Sequence, residues 1–153
     1  MGLEDILEKS RLIALDTSIF IYYIEKSTKY FDLLDKLFKK SKLQSDLLKI
    51  TTSIITLIEV LTKPLAKNQE QLANKYRDIL LNSSNTYILE LNNDIAEKSG
   101  VLKSKYKFLK TPDAIQLATA IYSNSGLFLS NDKKLQNINE INVVILDQLL
   151  INK

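Results

Sequence analysis

The stretch LIALDTSIFIYYI, residues 12–24, sets one aspartate inside an otherwise almost wholly apolar run. Residues 11–16 read as a buried strand and residues 17–27 as a helix that is hydrophobic nearly all round. Asp16 falls at their junction. Taking a neutral polar group out of water without a partner costs about 2–7 kcal/mol, and an ion costs more. Asp16 therefore needs a partner that its own neighbours in sequence do not supply.

Short apolar runs recur downstream. Residues 47–53, 86–91, 127–130 and 142–147 read as further strands. Helical spacing fills the intervals: 29–43, with Phe31, Leu34, Leu37 and Phe38 on one face; 56–67, interrupted or kinked near Pro64; then 68–83, 92–106, 111–126 with Gly126 as its stop, and a short helix at 131–138. Strands that alternate with helices, and that are continuously apolar, indicate a mostly parallel sheet covered on both faces. The predicted fold class is α/β: a three-layer α/β/α sandwich with about five strands, in a single domain over 1–153. Open sheets of this kind bind ligands outside the carboxyl ends of their strands, at a topological switch point. Asp16 stands at such an end.

Hydrophobic content is 45% and charged content 25%, ordinary for a globular protein. No apolar run is long enough to span a membrane. The start, MGLEDILEKSR, is acidic and mixed, unlike a signal peptide, and Ile6 stands where myristoylation needs Ser or Thr. A cytoplasmic protein is expected. The chain has no Cys and no His, which excludes disulfides, His-based triads and the usual zinc sites. An enzyme built from it must use carboxylates, hydroxyls, lysines, or a metal held by oxygen, which favours Mg²⁺ or Mn²⁺. The net charge of +3 permits an anionic partner.

Asp16 has three counterparts: Glu59 in TLIEV, Asp113 in KTPDAIQLATA, and Asp132 in LFLSNDKKL. Each has a capping alternative. Thr56 and Glu59 fit a capping box; Thr111 and Pro112 read as N-cap and first helical position, with Asp113 a first-turn acid; Asp132 after Ser130-Asn131 reads the same way, and Asp16 fits an N-cap. Capping does not explain why all four are embedded in apolar sequence. Three follow strands whose carboxyl ends should share one sheet edge. Carboxylates gathered there repel one another, and a divalent cation removes that conflict. A second ion about 3.5–4 Å away is possible with substrate present.

These residues resemble the PIN-domain family (PilT N-terminus-like), in particular its VapC-type toxin ribonucleases. LIALDTS matches the family's first strand, TTSIITLIEVL its acid in an apolar helix, and TPDAIQLATAIYSNSGLFLSNDKKL its C-terminal half. The resemblance covers roughly residues 11–147; residues 64–110 match no tight family motif. It implies a Mg²⁺- or Mn²⁺-dependent endoribonuclease that cleaves single-stranded RNA with a metal-activated water. Asp16, Glu59, Asp113 and Asp132 would be the metal-binding acids, with Asp16 and Asp113 the direct ligands. Glu59 and Asp132 would act through water or orient the nucleophile, and Ser130 would position an acid or a water. The resemblance also implies a toxin–antitoxin pair and a homodimer.

For the RNA path, KSGVLKSKYKFLK (98–110) carries Lys103, Lys105, Lys107 and Lys110 with Tyr106 and Phe108 between them, directly before Asp113. Lys133 beside Lys134, and KKSK at 39–42, are further candidates, though each stretch also reads as a solvated face. Thr17 and Ser18 can bond a phosphate or simply form the turn. Arg11 is expected at the far end of the sheet. Tyr22 and Tyr23 are expected in core or dimer contacts. The alternatives are a non-catalytic PIN-like module that binds RNA or protein, a phosphotransfer enzyme of another α/β class, and a DNA-cleaving relative of the same fold. No Walker loop occurs.

Overall fold

The computed structural model describes residues 2–44 and 46–151. Met1, Ser45, Asn152 and Lys153 of the expected 1–153 domain lie outside the described residues. Five strands, β1 (Leu12–Leu15), β2 (Lys49–Ser53), β3 (Thr86–Leu89), β4 (Leu127–Ser130) and β5 (Val143–Ile145), form one all-parallel sheet in the order β3-β2-β1-β4-β5. Ala14 lies opposite Thr51 on one side and Phe128 on the other.

The continuous apolar character of these strands has a direct cause. Side chains alternate between faces, and both faces are core. Ile13, Leu15, Leu127, Leu129 and Val144 join one apolar cluster, whereas Ala14, Phe128, Val143 and Ile145 join the other. The first cluster is completed by α1 (Leu3–Lys9), α2 (Thr17–Ile24), α3 (Phe31–Leu43), α4 (Ile54–Ala66), α5 (Glu70–Leu81) and α8 (Leu146–Ile151). The second is completed by α6 (Asn93–Lys105) and α7 (Thr111–Tyr122), with Leu135 of the 3₁₀ helix Lys133–Asn137. The expected three-layer α/β/α architecture is thus observed.

Helix α2 is buried on two sides, as its all-round hydrophobicity implies. Ile19 and Phe20 are fully buried, each contributing about 1.5–3 kcal/mol relative to exposure. Its other side packs on α3, where Tyr23 stacks on Phe38 at 4.1 Å between ring centroids, and Tyr22 meets Tyr30 at 4.5 Å. Both tyrosines therefore have intrachain partners.

Several boundaries differ from the sequence reading. The sequence pattern does not predict α1 and α8, because each is short and buries few residues: Ile6 and Leu7 in one, Leu146 and Leu149 in the other. Helix α4 (Ile54–Ala66) starts two residues early, capped by Ser53, whose hydroxyl accepts from the Ile55 N–H at 3.1 Å; it runs through Pro64 without interruption. Gly126 does not stop α7. Asn124 does, at φ 56°, with the Ser125 N–H donating to the Ala120 carbonyl and the Asn124 N–H to that of Ile121. Gly126 instead donates its N–H to the Leu12 carbonyl and leads into β4. Lys26 (φ 51°) and Asn68 (φ 55°) close α2 and α4 in the same left-handed way. Among the described residues, no helix is long and apolar enough to cross a membrane.

Candidate active site

Sheet order fixes the place of the site. β2 and β3 lie on one side of β1, while β4 and β5 lie on the other, so the order of strand addition reverses between β1 and β4. That reversal is the switch point. The Asp16 N–H donates to the Leu129 carbonyl at 2.9 Å, pinning the carboxyl end of β1 to that of β4.

Asp16 is the N-cap of α2, so the capping reading holds for it, and the cap is also the centre of the site. Its Oδ1 accepts from the Thr17 N–H at 2.7 Å and its Oδ2 from the Ser130 hydroxyl at 2.6 Å. Ser130 is fully buried at the end of β4 and in turn accepts the Asp132 N–H at 3.1 Å. Burial pushes the Asp16 carboxyl above its usual range. The bonds from Ser130 and Thr17 oppose the rise, and the charges of Asp113 and Glu59 add to it.

The other acids arrive from three different elements. Glu59 is not part of a capping box. With the helix beginning at Ile54, Thr56 sits in its third position and is fully buried, and Glu59 lies a turn further on, exposed, accepting the Thr17 hydroxyl proton at 2.8 Å. Asp113, half-buried, occupies the third position of α7 and accepts the Lys110 N–H at 3.3 Å. Lys110 is therefore the cap position, with Thr111 and Pro112 following, one residue earlier than expected. Asp132 caps the 3₁₀ helix, accepting from the Lys134 N–H at 3.0 Å, and is linked to Asp16 through Ser130. The structure thus sets Glu59 and Asp113 within electrostatic reach of Asp16 and leaves Asp132 exposed on the rim.

Beneath the acids lies a polar cluster that the sequence did not reveal. Thr17, Thr52, Thr56 and Gln116 are all buried. The Gln116 amide nitrogen donates to Thr17 Oγ1 at 3.0 Å and to Thr56 Oγ1 at 2.7 Å. The Thr52 hydroxyl bonds the Leu15 carbonyl at 2.9 Å and Thr56 Oγ1 at 2.8 Å. Among the described residues, no buried side-chain polar atom is left without a partner. The one available signal was Gln116 itself, a lone amide in DAIQLATA, three residues after Asp113 and so on the same helix face.

The donor set is all oxygen, which suits a hard divalent ion. Among the described residues, no lysine or arginine pairs with any of these four acids. Nor do three Asp or Glu side chains stand close enough to form a ready-made cage. Mg²⁺ usually takes only one or two carboxylates and keeps its waters. The residues present fit that mode of binding.

The candidate cations vary in freedom. Lys107, Lys110 and Lys133 are exposed. Lys103 donates to the Thr111 hydroxyl at 2.7 Å, beside Asp113. Lys105 is paired with Glu140 at 2.7 Å, and the Tyr106 hydroxyl donates to the same carboxylate at 2.9 Å. Phe108 is exposed and Ser18 half-buried. Arg11, just before β1, lies at the sheet end away from Asp16, as expected. A cleft lined by Ile21, Glu25, Val60, Lys63 and Tyr76 opens beside Glu59.

A PIN domain family profile matches residues 13–141, so the chain belongs to the PIN domain family. Solved structures agree in fold. VapBC2 from Rickettsia felis, bound to a promoter DNA fragment, aligns with a TM-score of 0.68 at 21% identity, over 88% of this chain and 98% of that one. A toxin–antitoxin complex from Klebsiella pneumoniae aligns at 0.61 with 25% identity, over 88% and 97%. Mycobacterium tuberculosis VapC20, described as a sarcin–ricin-loop-cleaving toxin, aligns at 0.64 with 15% identity, over 84% and 98%. No curated protein matches in sequence.

Proposed function

We propose that this chain is a divalent-metal-dependent endoribonuclease that hydrolyses phosphodiesters of single-stranded RNA, and that it is the toxin of a toxin–antitoxin pair. The observation that carries this reading is the half-buried Asp16 carboxylate at the switch point, in the field of Glu59 and Asp113, with no lysine or arginine among the described residues paired to balance them. Family membership supports nuclease chemistry. The Rickettsia and Klebsiella complexes support an antitoxin partner. Residues 1–153 then work as one cytoplasmic domain, in a homodimer.

A bound Mg²⁺ or Mn²⁺ supplies a water of lowered pKa and stabilises charge on the phosphate. Asp16 and Asp113 would hold the ion directly. Ser130 holds Asp16 in one orientation, and Glu59 and Asp132 would orient a water beside it. The Ser18 hydroxyl would serve as a phosphate donor, whereas that of Thr17 is committed to Glu59. Lys103, Lys107, Lys110 and Lys133 track the RNA backbone, and Lys105 contributes less because Glu140 already matches it.

Purified protein with Mn²⁺ is expected to cut single-stranded RNA, and Asp16→Asn and Asp113→Asn to abolish cutting. Two variants that cut as fast as the parent would overturn the assignment. The lack of a preformed three-acid cage among the described residues favours a second reading, a non-catalytic PIN-like module that binds RNA or protein. Calorimetry that finds no Mn²⁺ binding would support that version.

A further inference from the structure

Four buried polar side chains from α2, β2, α4 and α7 meet directly under the acids, in an interior otherwise built mainly from apolar residues. Such a cluster is stable only when every donor and acceptor is matched. The match constrains the direction of each proton. The Gln116 amide has two N–H bonds, and both are used, on Thr17 Oγ1 and Thr56 Oγ1. The Thr52 proton is shared between the Leu15 carbonyl at 2.9 Å and the more distant Gln116 Oε1 at 3.5 Å, which leaves Thr52 Oγ1 to accept from Thr56 at 2.8 Å. The Thr17 proton then has two acceptors in reach: neutral Thr56 Oγ1 at 3.0 Å and the Glu59 carboxylate at 2.8 Å. The charged and nearer acceptor takes it.

We propose that Gln116 is a positioning residue of the active site: by donating to both Thr17 and Thr56 it commits the Thr17 hydroxyl to Glu59 and holds that exposed carboxylate beside Asp16. The proposal rests on the nuclease reading above. Gln116 touches no substrate and none of the acids. It acts through Thr17, as groups behind metal-site carboxylates do when they fix ligand orientation. Without it, Thr17 Oγ1 loses the buried donor that fixes its position, and the tether that ties Glu59 to the core loosens.

The test is Mn²⁺ titration calorimetry and single-stranded RNA kinetics on the full chain. The variants are Gln116→Met, which fills similar space without donors, Thr17→Val, and the two combined. Thr119→Val is the control. Thr119 is equally buried on α7 and bonds only the Ile115 carbonyl of its own helix, so it reports general loosening. Gln116→Met should weaken Mn²⁺ binding and lower kcat about tenfold or more, with KM little changed. Thr17→Val should do the same, the pair should be no worse than either alone, and Thr17→Ser should restore binding. Gln116→Met indistinguishable from Thr119→Val in Mn²⁺ affinity, or losses that multiply in the double variant, would overturn the proposal while leaving the nuclease reading intact. Parent protein that binds no Mn²⁺ overturns both. Should Gln116→Met fail to fold, the contrast of Thr17→Val with Thr17→Ser decides: equal Mn²⁺ affinity in that pair overturns the link.

Discussion

The hydroxyl of Ser130 donates to Asp16 Oδ2 across 2.6 Å, joining residues 114 positions apart in the chain. The same oxygen accepts the Asp132 N–H, so one buried side chain orients the first acid and anchors the turn that carries the last. Ser130→Ala leaves a carboxylate oxygen and a backbone N–H without that partner. Such a loss costs about 1–3 kcal/mol, and urea denaturation should show it. The Asp16 carboxyl should also titrate at higher pH than in the parent, because the Ser130 bond opposes its upward shift. Carboxyl-carbon NMR would read this, and an unmoved titration would contradict the assigned bond.

Asp16 gives the metal-free protein an unusual dependence on pH. Its folded pKa is raised above the ordinary aspartate value, chiefly by burial. Between the unfolded and folded pKa values the folded state binds more protons than the unfolded state. This residue's contribution is therefore fully present below the unfolded pKa and is lost as pH rises through the folded one. Asp147 and Glu140 act in the opposite sense and lose stability as pH falls; Lys29 holds the first low, and Lys105 with Tyr106 outweighs burial at the second. The difference between parent and Asp16→Asn isolates the Asp16 share. The parent should gain stability relative to the variant on acidification from neutral pH. A difference of opposite slope would show that burial does not dominate this carboxyl.

Under the proposed function, RNA affinity should respond to individual lysines unequally. For single-stranded nucleic acid, each phosphate that a cationic side chain neutralises adds about 0.7 to the salt slope of log K. Fluorescence anisotropy across a KCl series, in the Asp16→Asn background, should show Lys107→Ala and Lys110→Ala each reducing the slope by about that amount. Lys105→Ala should change it less, since Glu140 already neutralises Lys105. Equal effects from all three would mean that the Lys105–Glu140 pair opens for RNA.

Lys26 ends α2 at φ 51°, a left-handed conformation that favours glycine. Its side chain is exposed. Lys26→Gly should stabilise the protein by a few tenths to about 1 kcal/mol, the relief of left-handed strain being partly offset by the freer unfolded chain. Thermal melts would measure it, and a fall in Tm would assign the Lys26 side chain a packing role.

The sheet was legible in the sequence because a parallel strand buried on both faces cannot disguise itself: Leu12–Leu15, Leu127–Ser130 and Val143–Ile145 are nearly all apolar. Asp16 was legible for the same reason, as the polar residue such a run cannot hide. The start of α4 was misplaced because Thr56 and Glu59 satisfy a local capping pattern while tertiary partners claim both: Gln116 for the threonine, Thr17 for the glutamate. Gly126 drew the end of α7 past Asn124, which takes the left-handed position instead. The cluster around Gln116 was invisible because its bonds span up to 99 positions, and no local pattern encodes a contact of that range.

The insertion of β4 beside β1, rather than next to its neighbours in chain order, has a consequence during synthesis. The first three strands can pair before residues 127–145 have left the ribosome, yet the sheet they form lacks the strand that faces Asp16. Domains fold as the chain emerges, and pairing between distant segments comes late. A nascent or prematurely terminated chain that stops short of Leu127 has the first carboxylate but not the hydroxyl that aims it. Under the proposed function, competence is thereby deferred until Ser130 has emerged and paired with Asp16.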